Sequence, residues 1–210
     1  PHHVTQRGNR SRPTIFCPED YRAYIDLMSE WCTKHGVDIR AYCLMTNHVH
    51  LIAVPASSQS LALGIGEAHR RYTRRINFRE GWRGRLRQGR FASYVPAETH
   101  LLAAARYSEI SRVRARMLPD PTRYPWSSAS AHIAGINDDL VNVAPLLEMI
   151  GDRPGFLQQE TPAEEADLFR LHERTGRPLG SEEFTAHLVK QTGWRLRRGK
   201  PGAKKESVGN

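Results

Sequence analysis

Cysteine is scarce in this chain. Cys17, Cys32 and Cys43 are the only three, scattered and without a C-x-x-C pair, which argues against a disulfide framework or a cysteine zinc knuckle and leaves reduced thiols. No apolar run approaches the roughly 18 residues that a bilayer span needs. No signal-peptide pattern opens the chain, so a cytoplasmic location without a membrane partner is expected. Acid is nearly missing from one stretch. Between positions 70 and 90 stand nine arginines (Arg70, Arg71, Arg74, Arg75, Arg79, Arg83, Arg85, Arg87, Arg90) against the single acid Glu80. The guanidinium fork suits phosphate oxygens, so this bias, within a formal charge of +9, points to a polyanion and above all to a nucleic-acid backbone.

What is present describes a soluble globular protein. The 210 residues, 39 % hydrophobic and 25 % charged, have room for one good-sized core or a core domain with a small appendage. The organising stretch is Ala41-Tyr42-Cys43-Leu44-Met45-Thr46-Asn47-His48-Val49-His50-Leu51-Ile52-Ala53-Val54, two apolar runs joined by Thr46-Asn47. Side chains alternate faces along a strand, so His48 and His50 share a face about 6.6 Å apart at Cα, with Val49 and Leu51 on the other. Two imidazoles so placed can grip one metal ion. They can equally be surface or core histidines.

The elements around it follow from spacing. A first short strand, His2 to Gln6, precedes a polar, basic loop from Arg7 to Pro13. Pro18-Glu19-Asp20 opens a helix with Tyr21, Tyr24, Ile25, Met28, Trp31 and Cys32 at core spacing, closed by Gly36. Val37 to Met45 and His48 to Val54 read as a hairpin, and Ser60 to Asn77 as a helix with Arg70, Arg71, Arg74 and Arg75 opposite its apolar stripe. Gly81 to Gly89 loops out before a strand from Arg90 to Val95. The order β-α-β-β-α-β predicts an α+β, ferredoxin-like antiparallel sheet with helices packed on one face. A third helix is predicted from Glu98 to Met117, then shorter helices over Trp126–Ala134, Ala144–Ile150 and Pro162–Thr175, and a linker-like turn from Gly176 to Gly180. Ser181 caps a last helix ending near Gly193, and Arg195, Arg197, Arg198, Lys200, Lys204 and Lys205 form a basic tail expected to be disordered. Three units are expected: 1–134, a helical extension over 135–175, and a small helix with the tail over 176–210.

The third helix sets His100, Tyr107, Ser111 and Arg114 in line on one face. A tyrosine among polar residues is an odd choice for packing. It reads either as half-buried with its hydroxyl at the surface or as a nucleophile. A phenol is protonated at neutral pH and attacks a phosphodiester only if a metal polarises the phosphate or a base takes the proton. His48 and His50 could hold Mg²⁺ or Mn²⁺, imidazole favouring the latter.

With these residues assembled, Tyr42-Cys43-Leu44-Met45-Thr46-Asn47-His48-Val49-His50-Leu51 resembles the metal-binding segment of the single-tyrosine, His-hydrophobic-His transposases, and most of all their REP-associated branch. His3-Val4-Thr5-Gln6-Arg7-Gly8-Asn9, Gln88-Gly89-Arg90-Phe91, the Arg106-Tyr107 helix ending Val113-Arg114-Ala115, and Tyr124-Pro125-Trp126-Ser127-Ser128 match in the same order. The resemblance covers residues 1 to about 134, and Thr175 to Gly180 resembles the tail of some members. It implies a nuclease and strand transferase on single-stranded or hairpin DNA, as monomer or homodimer. Tyr107 would attack and join the 5′ phosphate, with His48 and His50 as metal ligands. The family's third ligand, an amide four residues after the tyrosine, falls here on Ser111, and Arg87 replaces a usual tryptophan. A serine hydroxyl is the poorer ligand, so a catalytically impaired DNA-binding protein on the same scaffold is the alternative, and a small metallohydrolase using His2, His3, His48 and His50 a third. For DNA contacts the candidates are Arg70, Arg71, Arg74 and Arg75 on phosphates, Arg7, Asn9 and Arg10 at base edges, Arg90 in its matched segment, and Trp82 and Tyr94 as stacking partners, Tyr94 reading at least as well as a core residue.

Overall fold

The computed structural model describes residues 1–114, 120–159 and 161–196. In chain order it has β1 (His2–Arg7), α1 (Pro18–Lys34), β2 (Val37–Leu44), β3 (His48–Pro55), α2 (Ser60–Leu63), α3 (Ile65–Arg79), β4 (Ala92–Tyr94), α4 (Glu98–Glu109), α5 (Ser111–Arg114), α6 (Ala129–Ala134), α7 (Ala144–Leu147), α8 (Arg153–Gln158), α9 (Ala163–Thr175) and α10 (Glu182–Thr192). The four strands form one antiparallel sheet in the order β2-β3-β1-β4, the ferredoxin-like arrangement.

Side-chain alternation gives the sheet two different faces. Val4, Val49, Leu51 and Ala53 point to the face covered by α1 and α3, where they meet Tyr24, Met28, Ile65, Tyr72 and Ile76 in a continuous apolar core. α1 is fixed at its start by Pro18 and by Glu19 and Asp20 in the first turn, and it buries the expected stripe from Tyr21 to Cys32. The opposite face presents Ala41, Ile52 and Tyr94, which pack with Leu101, Ala104, Ala105 and Tyr107 of α4, Leu146 of α7, and Phe169 of α9. Helices therefore cover both faces, not one as expected, because the second face is also apolar outside its histidines and burial of such surface stabilises by about 25 cal/mol per Å².

Other departures have local causes. The helix expected from Ser60 to Asn77 runs on to Arg79 but breaks at Gly64, where a Cβ would lie 3.0 Å from both Val37 Cγ2 and the Ser60 carbonyl. The third helix is interrupted at Ile110, and its expected end beyond Arg114 lies outside the described residues. Trp126 and Ser127 are not helical; Leu44 N–H donates to the Trp126 carbonyl at 2.9 Å and Cys43 bridges Ser127, so this segment lengthens the β2 edge. The strand over 90–95 shortens to Ala92–Tyr94, and Gly176 to Gly180 is pinned through Leu179, which exchanges backbone hydrogen bonds with Val95 and Ala97 at 2.9 and 2.7 Å. Ser181 caps α10 as expected, its hydroxyl accepting from Phe184 N–H at 3.1 Å. Of the basic tail, Arg197 onward lies outside the described residues. No helix among the described residues is long and apolar enough to cross a membrane.

Candidate active site

The register between β1 and β3 builds the site. Arg7 lies opposite His48, Thr5 opposite His50 and His3 opposite Ile52, so His3, His48 and His50 all project from the face turned toward α4 and α9. The His48 and His50 ring centroids are 5.0 Å apart. His3, whose neighbour across β4 is Tyr94, stacks on His50 with centroids 5.4 Å apart and an interplanar angle of 8°. His48 has a bond of its own, Nδ1 to Asn47 Oδ1 at 2.6 Å.

α4 brings Tyr107 to the same place, its ring 6.0 Å from that of His50 and edge-on to it. The (i, i+7) partner Arg114 lies flat over the phenol, its guanidinium carbon 3.5 Å from the ring centroid. Ser111 is one turn on, with its hydroxyl donating to the Tyr107 carbonyl at 3.1 Å. Ser108 sits nearer the histidines, its Oγ 3.2 Å from His3 Nε2. The far end of α4 is held by a buried network in which Glu109 accepts from the Ser128 hydroxyl and pairs with His132 Nδ1 at 2.6 Å.

α9 closes the pocket. Phe169 packs on Tyr107 with centroids 4.9 Å apart, and Glu173 reaches between the imidazoles, its Oε1 at 3.5 Å from His50 Nδ1 and 3.8 Å from His3 Nδ1. Tyr107 and His50 are each only 2 % exposed as a result. One ligand atom from each of His3, His50 and Glu173 lies within 4.8 Å of the others. His3 Nδ1 and Glu173 Oε1 are buried and find no hydrogen-bond partner among the described residues.

Burial governs the protonation of this cluster. It pulls His3 down to about 3 and His48 to about 4, with Arg114 and Arg7 respectively adding to the effect, and it takes His50 well below its usual range, helped by the other two histidines. All are neutral at pH 7, the form that ligates a metal. Burial also raises Glu173 to about 7 and lifts the Tyr107 phenol, while Arg114 and Arg170 draw both back. Two neutral imidazoles and a carboxyl oxygen converge here, a donor set that a divalent ion fits.

Sequence reading missed Glu173, which no local pattern ties to the sheet, and set His3 with His50 only in the metallohydrolase alternative, although pairing β1 with β3 puts them on one face. Tyr94 is not free to stack on a base: it is buried, edge-on to His3 at 5.0 Å. Arg87 is likewise buried, its guanidinium between the Tyr24 and Tyr72 rings at 5.4 and 5.3 Å, so it leaves the presumed phosphate-facing set. Arg70 and Arg71 are exposed but paired with Glu67, whereas Arg74, Arg75 and Arg90 are exposed and make no ion pair among the described residues. Arg7 and Asn9 are exposed on the first loop. Arg10 and Ser11 there take positive φ of 52° and 57°, a conformation costing about 1 kcal/mol or more in non-glycine residues and braced by Asn47 Nδ2 donating to the Ser11 carbonyl at 3.1 Å. A separate, mainly apolar cleft of about 580 Å³ between Leu101, Leu146, Phe184 and Leu188 does not include the histidines.

Comparison with known proteins places this geometry. Residues 2–92 match the family model described as transposase IS200 like, which spans β1 to the start of β4 and includes His3, His48 and His50. A structure of a REP-associated tyrosine transposase bound to a REP hairpin superposes with a TM-score of 0.51 at 14 % identity, covering 66 % of this chain and 82 % of that one. A Deinococcus radiodurans R1 protein assigned as a transposase gives a TM-score of 0.38 at 17 % identity, covering 56 % of this chain and 90 % of that one. Among curated proteins none matches. Residues 2–92 are thus similar to the IS200-like transposases, and the chain shares the fold of a REP-associated tyrosine transposase.

Proposed function

We propose that this protein is a metal-dependent endonuclease and strand transferase for single-stranded DNA beside hairpins, with Tyr107 as nucleophile. The observation that carries this reading is the position of the Tyr107 ring, 6.0 Å from His50 on the face where His3, His50 and Glu173 converge. In the step, the phenol oxygen bonds to phosphorus and the bond from phosphorus to the 3′ oxygen breaks. The DNA 5′ phosphate is left on Tyr107 and a 3′ hydroxyl is freed; the phenol proton goes to solvent and the leaving oxygen takes one up. Attack by that hydroxyl, or by another, reverses the step and reseals a strand. The diester energy is kept in the phosphotyrosine, so no nucleotide cofactor is needed.

His3, His50 and Glu173, with His48 beside them, are the residues that would hold Mn²⁺ or Mg²⁺. Bound there, the ion would supply Lewis-acid polarisation of the scissile phosphate. Arg114 and Arg170 favour the phenolate against the burial that opposes it. Ser111, at the place of the usual third ligand, braces the Tyr107 backbone, and the carboxylate of Glu173 takes over the ligand role that a serine fills poorly. Arg7, Asn9 and Arg10 at the mouth, and Arg70, Arg71, Arg74, Arg75 and Arg90 along α3 and the following loop, would track the strand. Because Phe169 covers Tyr107, DNA reaches the phenol only when α9 moves aside.

The test is incubation with end-labelled hairpin DNA carrying a single-stranded flank, with Mn²⁺, followed by a denaturing gel. A slow-migrating protein–DNA species that disappears in Tyr107→Phe is expected. Cleavage that persists in Tyr107→Phe would favour a hydrolase, and hairpin binding without any adduct would favour the impaired scaffold.

A further inference from the structure

Most large apolar side chains of this protein are buried, yet Phe16 and Trp82 lie exposed together at one end of α3, whose last turn also carries the exposed Phe78. Phe16 is 44 % exposed, Phe78 90 % and Trp82 49 %. Phe16 and Trp82 meet edge to face with centroids 5.8 Å apart, and Phe78 projects from the last turn of α3, four residues before Trp82. Solvation of these rings is unfavourable, and such a patch marks a partner surface.

The arrangement is held in place from beneath. The buried carboxylate of Asp20 accepts from Phe16 N–H at 3.0 Å and clamps Arg79, whose guanidinium lies 5.8 Å from the Phe16 ring centroid. Trp82 N–H donates to the Asn77 carbonyl at 2.8 Å, and Asn77 Nδ2 to the Gly84 carbonyl at 2.9 Å. Gly81 and Gly84 have φ of 65° and 97°, which side-chain-bearing residues adopt poorly, so the loop's glycines are needed to turn Trp82 outward. The flanking charges are positive. Arg74, Arg75, Arg83 and Arg85 are exposed and make no ion pair among the described residues.

This patch shares an edge with the histidines. Thr14 and Ile15, just before Phe16, both donate to the Thr46 carbonyl at 2.7 and 3.1 Å. Gly8 N–H donates to the Asn47 carbonyl at 2.7 Å, and Asn9 N–H to the Leu86 carbonyl at 2.9 Å. The segment carrying Phe16 is thus seated on the β2–β3 turn that leads into His48, and the loop carrying Trp82 is joined to that turn through Asn9 and Gly8.

We propose that Phe16, Phe78 and Trp82 form a stacking shelf for unpaired DNA bases, flanked by arginines that take the phosphates, which holds the single-stranded flank of the substrate on its way to the histidines. The inference rests on the reading of this protein as one that processes single-stranded DNA, and it names what grips the strand. Every base has a π face, so the shelf is indifferent to sequence, while its arginines require a polyanion.

The test is fluorescence anisotropy of a short labelled oligodeoxynucleotide, and of the same backbone made abasic, in EDTA so that no cleavage intervenes. The wild type is expected to bind the normal oligonucleotide roughly tenfold more tightly than the abasic one, and Trp82→Ala to bind both alike, at the abasic level. Phe78→Ala, at a side chain too exposed to affect folding, is expected to show part of the same loss. Equal affinity of the wild type for the two probes, or a Trp82→Ala loss that is as large on the abasic probe, would overturn the shelf. Neither result bears on the Tyr107 adduct, which is read separately with Mn²⁺, so the shelf and the nuclease can fail independently.

Discussion

Replacing Phe169 by alanine should make the protein less stable and more reactive at once. The ring is fully buried and lies on Tyr107 at 4.9 Å, so its loss removes both an anchor of α9 and the cover of the phenol. Phe-to-Ala changes in a core cost about 3–5 kcal/mol. If about 3 kcal/mol of that falls on the docking of α9, the population with the pocket open rises on the order of a hundredfold. Over the whole chain the same loss lowers Tm by roughly 6–12 °C. The assay is single-turnover adduct formation with hairpin DNA and Mn²⁺, well below the melting range, beside nitration of Tyr107 mapped by mass spectrometry. Faster adduct formation and faster nitration are expected despite the lower Tm. If adduct formation falls in step with stability and Tyr107 stays unreactive to nitration, Phe169 does not gate access to the phenol and the reasoning is wrong.

Further expectations concern other groups. Glu173→Gln should weaken Mn²⁺ binding by tenfold or more in isothermal titration calorimetry, with the wild-type Tm gain on adding Mn²⁺ largely lost; an unchanged affinity would remove Glu173 from the ligand set. Burial pushes the Asp20 carboxyl up, but the Arg79 guanidinium and Phe16 N–H more than offset it and leave the group below its usual 3.8. The folded state thus binds that proton less readily than the unfolded one. Its contribution is complete above pH 3.8 and lost as pH falls through the lower folded value, so acid unfolding followed by circular dichroism should show an increment that Asp20→Asn lacks. Glu109→Ala strands His132 Nδ1 in the interior, while the Ser128 hydroxyl keeps Tyr42 as a partner, and should cost about 3 kcal/mol in urea unfolding, against less than 1 kcal/mol if water replaces the carboxylate.

Local pattern carried the sheet domain well. The hairpin around Thr46-Asn47, the aromatic stripe of α1 and the alternation of His48 and His50 against Val49 and Leu51 all depend on neighbours within a few residues, where periodicity speaks directly. The line from Tyr107 to Arg114 was legible for the same reason, and the guanidinium does lie on the phenol. What stayed hidden depends on distant contacts. Gly64 stands at a helix break where a Cβ would crowd Val37, and Arg87, read as one of a surface cluster, lies buried between Tyr24 and Tyr72. Phe169 and Glu173 belong to a helix whose own spacing marks only an apolar stripe. Nothing in that stripe says that it will lie across β1, or that a carboxylate more than a hundred residues away in sequence will settle between two histidines.

On the function proposed above, Glu173 would supply the ligand that Ser111 fills poorly. The carboxylate arrives from the C-terminal extension, outside the segment that matches the family model, and it stands among imidazoles that burial keeps neutral. If Glu173 ligates the ion and Tyr107 is the nucleophile, α9 both completes the ligand set and covers the phenol, so moving it would change metal occupancy and access together.

The most direct measurement is the identity of the amino acid joined to DNA. After reaction of the full chain with hairpin DNA and Mn²⁺, protease digestion and mass spectrometry should find a nucleotide 5′ phosphate on the peptide containing Tyr107 and on no other. A nucleotide on a different residue, or strand cleavage with no residue modified, would contradict the account.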